Sequence, residues 1–425
     1  MNGSISDNKE LNFGKEIDLF SKHTDSIGNV LLSMIIVLQE LEKKSLESLN
    51  KFTDENCTKD VIDNKTIIKI PDKHYSRWRK LSLRHEHNSL ARQLLPRSLL
   101  VTLVSQYDAY LGRLLRVIFL KKPELLKSSD RQISFETLGY FSTIEDARDY
   151  ILEKEIESIL RSSHSEQFKW MEKAFDLPLT KGLKSWGVFI ELTERRNLFV
   201  HTDGIVSSQY LSNCKHHNCT IGDSVKEGSS LGVPQKYFET AYACIHEIGI
   251  KLGHVLWRKL FPDEREEADL KLIETTFNIL ESGQYDLACN LLDFSCVEIK
   301  KFSNEASQLV LIVNRALAYK FKNEESKCLE IMRAVDWSAK SDDFKLASAV
   351  LEKKWDAASK IMHQIGKDGH VKKHDYINWP LFREWRNESL FQNAFQELFG
   401  EPFIDNAKKR ITNTEAVNLE DTKEE

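Results

Sequence analysis

One short segment of the chain combines three side chains that could cut RNA. Arg196, Asn197 and His201 lie within six residues of one another. A histidine titrates near neutral pH and can donate or accept a proton, whereas an arginine stays charged and can hold two phosphate oxygens. Cleavage by the ribose 2′-hydroxyl needs both, because a proton leaves the hydroxyl while negative charge builds up around phosphorus. The amide of Asn197 could orient the imidazole or the phosphate.

This segment ends a predicted helix over residues 183–201. Leu192 and Phe199 form a second apolar stripe beside the core face of that helix, with Arg196 between them. A charge bracketed in this way predicts that a partner helix covers the surface. Arg196 and His201 are about 140° apart around an ideal helix. One ligand could therefore touch both only near the frayed helix end or between two protomers.

The stretch from Arg196 to His201 resembles the R-x(4–6)-H signature of HEPN domains, helical modules common in prokaryotic toxin, antiphage and RNA-processing proteins. In many of these domains an asparagine follows the arginine, as Asn197 does here. The resemblance extends over residues 20–260. It implies a bundle of four or five helices that dimerises across the motif helices and acts as a metal-independent endoribonuclease. One departure is Asp203, since HEPN toxins paired with nucleotidyltransferase antitoxins carry a modifiable tyrosine there.

The resemblance also implies roles for individual residues. Arg196, Asn197 and His201 would be catalytic, and a polar residue from an upstream helix often joins a HEPN site. The predicted helix over residues 97–120 offers Asp108 for this role. Solvent exposure of Asp108, or an ion pair with Arg113, is the competing interpretation. For Arg196 and His201 the competing interpretation is a surface arginine and a histidine that caps the helix C-terminus.

A basic stretch between residues 73 and 97 is a candidate track for the RNA backbone. Tyr75 and Trp78 lie within it and could stack on bases. A solvated helix face or loop explains the same pattern equally well. The predicted RNA-binding residues are Arg195, Arg77, Arg79, Lys80 and Arg84.

The composition predicts an all-α protein. Glycine (17) and proline (8) are scarce among 425 residues, which disfavours sandwiches, barrels and propellers and favours long helices. A net charge of −5 excludes a protein that is basic all over, and seven scattered cysteines do not form a secreted disulfide framework.

The first 15 residues lack the apolar stretch of a signal peptide, and the apolar run over 27–38 is too short to span a bilayer. The sequence therefore predicts a cytoplasmic protein with no membrane contact.

The domain organisation is predicted as an HEPN-like helical domain over 1–262, with a loop insert at 212–235, a helical repeat domain over 263–400 and a polar, disordered tail over 401–425. The second domain contains a weak repeat that begins at Gly283, Asn323 and Lys353. Each six-residue unit ends in a small residue, which would let two helices approach. This pattern resembles tetratricopeptide (TPR) repeats and implies a short α-solenoid.

No cofactor or metal is predicted. The run from Cys214 to Cys219 contains two cysteines and two histidines, the usual zinc ligands. Four ligands within six residues cannot easily form a relaxed tetrahedron, and no second pair follows at a standard spacing. Glycine-rich phosphate loops, paired carboxylates and a nucleophilic serine or cysteine arrangement are not found in the sequence.

The function predicted from these features is that of a homodimeric HEPN-type endoribonuclease in prokaryotic antiphage or toxin defence. RNA is the expected substrate, and the C-terminal repeats are expected to recruit a protein or ligand. Two alternatives remain open at this point. One is a non-catalytic helical adaptor that dimerises, and the other is a regulator that senses a nucleotide in the same pocket.

Overall fold

The computed structural model describes residues 12–62, 65–128 and 133–404, and this part of the chain is all-α apart from one small sheet. The predicted tail over 401–425 lies outside the described residues from position 405 onward. The chain divides into two compact units, Met1–Pro262 and Asp263–Glu425. The all-α class predicted from the scarcity of glycine and proline is confirmed.

The first unit is built around a long helical hairpin. Helix α1 (Phe13–Asn56) is followed by an antiparallel pair of strands, β1 (Thr58–Ile62) and β2 (Lys65–Lys69), and by helix α2 (Asp72–Lys121). Thr58 pairs with Lys69 at the open end of the strand pair. At 1.5 Å per residue, the 44 and 50 residues of the two helices correspond to about 66 and 75 Å.

Helix α2 begins 25 residues before the predicted helix over 97–120. It runs through Pro96, which is buried in the helix interior. The added stretch packs along α1, where Trp78 donates its indole N–H to Thr53 at 3.2 Å and Asn88 donates to the carbonyl of Leu41. The tertiary contact with α1 outweighs the local cost of a proline inside a helix. The basic stretch is therefore helical.

Helix α1 meets length and hydropathy criteria for a membrane-spanning segment over an 18-residue window, of which 24% is buried in the protein. Among the described helices it alone does so. Core helices and N-terminal signal sequences pass the same test. Phe13, Ile17 and Phe20 are buried at the base of the hairpin, whereas Val30 and Ile36 are exposed further along.

Six further α-helices follow in the described part of the first unit. They are α3 (Phe135–Leu138), α4 (Ile144–Arg161), α5 (His164–Phe175), α6 (Trp186–His201), α7 (Ser208–His216) and α8 (Gln235–Leu260). Helices α4, α6 and α8 contact the hairpin. Helix α6 ends at the histidine, as predicted. The predicted loop insert at 212–235 requires correction, because its first residues belong to α7. That helix forms because Ser207 caps it by accepting the N–H of Tyr210, whose side chain is buried.

Two glycines let α8 pack closely against the hairpin. A Cβ on Gly249 would lie 2.2 Å from the ring of Phe20, and a Cβ on Gly253 would lie 2.2 Å from the hydroxyl oxygen of Tyr110. The Tyr110 hydroxyl donates to the carbonyl of Gly249 at 3.2 Å, and its ring stacks on Phe20 at 4.3 Å. These contacts fix the part of α2 that carries Asp108.

Gly253→Ala is expected to destabilise the protein by up to about 2 kcal/mol. The added methyl group overpacks a core that is already full, at a cost of about 1–3 kcal/mol, and the roughly 1 kcal/mol that alanine gains over glycine in a helix offsets only part of it. The control is Gly187→Ala in α6, where the nearest atom to the new Cβ lies 3.5 Å away. Thermal unfolding of both variants tests this, and equal midpoints would contradict it.

The second unit consists of consecutive helical hairpins. The first three are α9 (Arg265–Glu281) with α10 (Tyr285–Asp293), α11 (Glu305–Phe321) with α12 (Glu325–Arg333), and α13 (Asp342–Leu351) with α14 (Trp355–Ile365). Helices α15 (Lys373–Asn378) and α16 (Ser389–Phe399) follow.

The three hairpins share one turn geometry. Gly283, Asn323 and Lys353 occupy the central turn position with positive φ of 80°, 65° and 58°. In each turn the next residue donates its N–H to a carbonyl five positions earlier, as in a Schellman cap. The small residues that close the predicted units are fully buried: Ala288, Cys328 and Ala358. The weak sequence repeat thus coincides with a repeated turn and a close approach of helices.

Candidate functional site

Three charged or titratable side chains from three helices meet in the first unit. The Arg196 guanidinium donates through Nη2 to Oδ2 of Asp108 at 3.0 Å. The other carboxylate oxygen of Asp108 lies 2.8 Å from Nε2 of His164. We call these three residues the Asp108 cluster. It joins two of the predicted catalytic residues, which are 88 positions apart in the chain.

The helices hold the Asp108 cluster through their own local structure. Asp108 follows the fully buried Tyr107 on α2. His164 is the first residue of α5, where Ser163 and Glu166 form a capping box, and its ring packs edge-on against Phe189 of α6. His164 is 7% exposed, whereas the side chains of Arg196 and Asp108 are 20% and 28% exposed.

Two buried polar atoms beside the Asp108 cluster lack a hydrogen-bond partner in the described part of the chain. They are Nε of Arg196 and the hydroxyl oxygen of Tyr107. Burial, reinforced by the Asp108 charge, raises the pKa of Tyr107 well above its usual value. The phenol therefore stays neutral and can donate its proton. The charged Arg196 and the neutral Tyr107 therefore each keep one hydrogen-bonding group without a partner in the described part of the chain.

Asn197 and His201 do not join the Asp108 cluster within one chain. His201 is exposed at the end of α6, and Asn197 is half-buried. Across residues 12–62, 65–128 and 133–404, neither side chain makes a hydrogen bond or an ion pair. Within the described part of one chain, no hydrogen bond or ion pair therefore links His201 to Arg196.

The surface predicted to receive a partner helix is covered by the chain itself. Leu192 is fully buried, and the Arg97 guanidinium lies over the ring of Phe199 at 5.3 Å. Arg97 also donates to the carbonyl and carboxylate oxygens of Asp203 at 3.2 and 3.3 Å. The apolar stripe is thus explained by intrachain packing. Val200, next to His201, is the exposed apolar side chain at this end of the helix.

Arg195, predicted to bind RNA, is engaged inside the protein. Its Nε donates to Oε1 of Glu191 at 2.8 Å, its Nη1 donates to the carbonyl of Gly232 at 3.1 Å, and its guanidinium lies 3.8 Å from the centre of the Tyr237 ring. Burial lowers the pKa of Arg195, but Tyr237 and Glu191 outweigh this and leave it raised.

The buried carboxylate of Glu191 accepts hydrogen bonds from three side chains. Besides Arg195, the hydroxyls of Tyr210 and Tyr237 donate to its two oxygens at 2.6 and 2.7 Å. Burial, with the Glu191 charge, raises the pKa values of both tyrosines. This network ties α6 to α7 and α8. Sequence reasoning missed Glu191, since only the fold brings its partners together.

The remaining predicted RNA-binding residues lie on the outer part of α2. Arg77, Arg79, Lys80 and Arg84 are all exposed. Arg84 is 24 residues from Asp108, or about 36 Å along the helix. Tyr75 is half exposed and available for stacking, whereas Trp78 is held by Thr53. The basic stretch and the Asp108 cluster are thus two separate places on one helix.

A cleft lies between these two places. It has a volume of about 490 Å³ and is lined by residues of α1 and α2 and by the segment 230–235, including Arg92, Arg97, Gly232 and Gln235. Arg92 is paired with Glu42, and this hydrogen bond lowers the pKa of that carboxyl. The Leu231 N–H donates to the carbonyl of Gly204 at 2.9 Å. This hydrogen bond holds the 230–235 wall of the cleft next to the C-terminal end of α6.

The Cys214–Cys219 run forms the end of α7 and the turn after it. The Cys219 N–H donates to the Cys214 carbonyl at 2.8 Å, and the rings of His216 and His217 are 4.7 Å apart. Within the described ranges, no group of three or more histidine, cysteine or acidic residues could hold a metal ion.

Comparison of the chain with protein-family models, with curated proteins and with solved structures found no match. A functional assignment for this chain therefore depends on its residues and their geometry.

Proposed function

We propose that this protein is a metal-independent endoribonuclease of the HEPN type. The contact between Arg196 and Asp108 carries the proposal. Two residues selected for site chemistry from separate parts of the sequence lie 3.0 Å apart on different helices. Asp108 fixes the guanidinium of Arg196, and the Arg196 side chain is still 20% exposed, which lets it hold a phosphate oxygen. An arginine oriented in this way lowers the energy of the crowded anionic transition state.

His201 supplies the proton transfer in this proposal. Its exposure at the end of α6 leaves it open to a substrate or to a second copy of the chain. Since no hydrogen bond or ion pair links His201 to Arg196 in the described part of one chain, we propose that the complete site is a composite of two protomers, with each contributing one of the two groups. RNA would reach it along α2, past the basic stretch and the cleft at Arg97. The proposed setting is the prokaryotic cytoplasm, in antiphage or toxin defence.

A second candidate function is a non-catalytic helical adaptor. The pairing of Asp108 with both Arg196 and His164 favours it, because a guanidinium that already has a carboxylate can serve to join α6 to α2. The TPR-like hairpins of the second unit would then recruit one partner and the first unit another. Both candidates predict binding, but only the first predicts broken phosphodiester bonds.

RNA cleavage by the purified protein decides between the two candidates. Mixed RNAs incubated with the protein in excess chelator are expected to yield fragments with 2′,3′-cyclic phosphate and 5′-hydroxyl ends, because the ribose 2′-hydroxyl is the attacking group. Mass measurement in solution is expected to give a dimer. Intact RNA from a folded, dimeric protein would support the adaptor, and cleavage that requires a divalent metal ion would contradict the proposed chemistry.

A further inference from the structure

A second cleft lies within the C-terminal unit, where the first helices of successive hairpins line up. Its volume is about 500 Å³, and its walls come from α9, α11, the start of α13 and the segment 370–379. We call it the acidic cleft. Its lining includes Phe277, Glu281, Asn314, Asp343, Asp375 and Trp379.

The charge of the acidic cleft is one-sided. Three carboxylates and two histidines line it, and the described lining includes neither lysine nor arginine. Both carboxylate oxygens of Asp375 already have a neighbour in the chain. One accepts the backbone N–H of Lys372 at 2.8 Å, and the other lies 3.1 Å from Nε2 of His374. Glu281 and Asp343 supply the remaining charge. The cleft therefore attracts cations.

A buried amide gives the acidic cleft a second feature. Asn314 lies on α11 and is 1% exposed, yet its Oδ1 has no hydrogen-bond partner among the described residues. Trp379 also lines the cleft, and its Nε1 is likewise buried without an acceptor in the same part of the chain. A buried polar atom without a partner costs stability. One vacant acceptor and one vacant donor match the N–H and C=O groups of a peptide backbone.

The apolar walls complete the match to one class of ligand. Phe277 and Trp379 present aromatic groups, and such surfaces hold the aliphatic stem and the charged head of lysine or arginine. We propose that the acidic cleft binds an extended peptide segment that carries a lysine or arginine side chain. Its backbone satisfies Asn314 and Trp379, and its cationic side chain lies against Glu281 and Asp343. This site is independent of the nuclease proposal.

Binding of peptide pools to the full chain tests the proposal. The probes are fluorescent octapeptides with blocked ends, random at all positions except a central Arg, Lys, Glu or Leu. The Arg and Lys pools are expected to bind about tenfold more tightly than the Glu pool, which corresponds to about 1.4 kcal/mol. The difference should shrink as salt rises, because the attraction is screened.

Three variants assign the binding to the acidic cleft. Asp343→Asn and Asn314→Leu are expected to weaken binding of the Arg pool by about tenfold. Asn314→Leu should leave the thermal midpoint unchanged or higher, because it removes a buried polar group that lacks a partner. The control is Asp286→Asn, an exposed carboxylate of the same unit that pairs with Lys322, and it should bind as the wild type does.

Several outcomes would overturn the proposal. Equal binding of the Arg, Lys, Glu and Leu pools, or no binding of any pool, would contradict the selection of a cationic side chain by the carboxylates of the cleft. Wild-type affinity in Asn314→Leu would contradict the contact between Asn314 and the peptide backbone. Spermidine that binds as tightly as the Arg pool would identify a small cation, and not a peptide, as the ligand.

Discussion

Replacing His201 with alanine is expected to lower the rate of RNA cleavage by about 10²–10⁴-fold, the usual contribution of a general acid or base. The stability of the protein should not change, because the side chain is exposed and makes no hydrogen bond or ion pair within the described ranges. Single-turnover cleavage of one defined RNA and thermal unfolding of the same samples measure the two effects separately.

His216→Ala is the matched control for His201→Ala. His216 is an exposed histidine on α7 that lies outside the Arg196–His201 motif, so its removal should leave cleavage unchanged. Mixing His201→Ala with Arg196→Ala adds a test of the composite site. If each protomer supplies one of the two groups, mixed dimers should regain part of the activity that both parents have lost. Cleavage by His201→Ala at the wild-type rate would exclude the imidazole from the reaction.

Local pattern was enough to predict the helix that carries the motif. The predicted helix over 183–201 corresponds to α6, which ends at the predicted residue and begins three residues later. Apolar spacing acts within a few residues of the positions it specifies. It therefore remains valid whatever the rest of the chain does.

The extent of α2 could not be read from such signals. Most charged side chains in the first half of α2 are exposed, and the sequence around Pro96 looks like a helix boundary. The 50-residue helix persists because α1 lies alongside it, and that contact is set by the strand pair between them. In the second unit, the repeat aligns Gly283, Asn323 and Lys353 in the sequence, but only the fold reveals that this position has positive φ, since three different residue types adopt it there.

The candidate site was predicted in part. Asp108 was selected from the family resemblance, and the structure places it against Arg196. His164 was missed although its capping box is visible in the sequence as Ser163 followed by Glu166. The box predicts where α5 begins, but not that its first side chain meets a carboxylate 56 residues away. Arg195 was selected for its charge, yet its neighbours across the fold hold it inside a network around Glu191.

Removing the Asp108 carboxylate is the change that best separates a catalytic from a structural role of Arg196. Asp108→Ala should destabilise the protein by about 3 kcal/mol, the lower end for breaking a buried charge pair, because the carboxylate is 28% exposed. Arg196 and His164 would both lose their acceptor. Asp108→Asn keeps the shape and one acceptor oxygen and should cost less, about 1.5–3 kcal/mol.

The two functions differ in what Asp108→Asn does to the molecules that stay folded. If Asp108 positions Arg196 for phosphate, the rate per folded molecule should fall, with the larger change in kcat because the arginine acts in the transition state. If Asp108 only joins α2 to α6, the folded fraction alone should fall. Glu86→Gln, an exposed carboxylate on the same helix, is the control for both readouts. A double-mutant cycle with Arg196→Ala then isolates the coupling of the pair, and a coupling energy near zero would mean that the observed contact contributes to neither role.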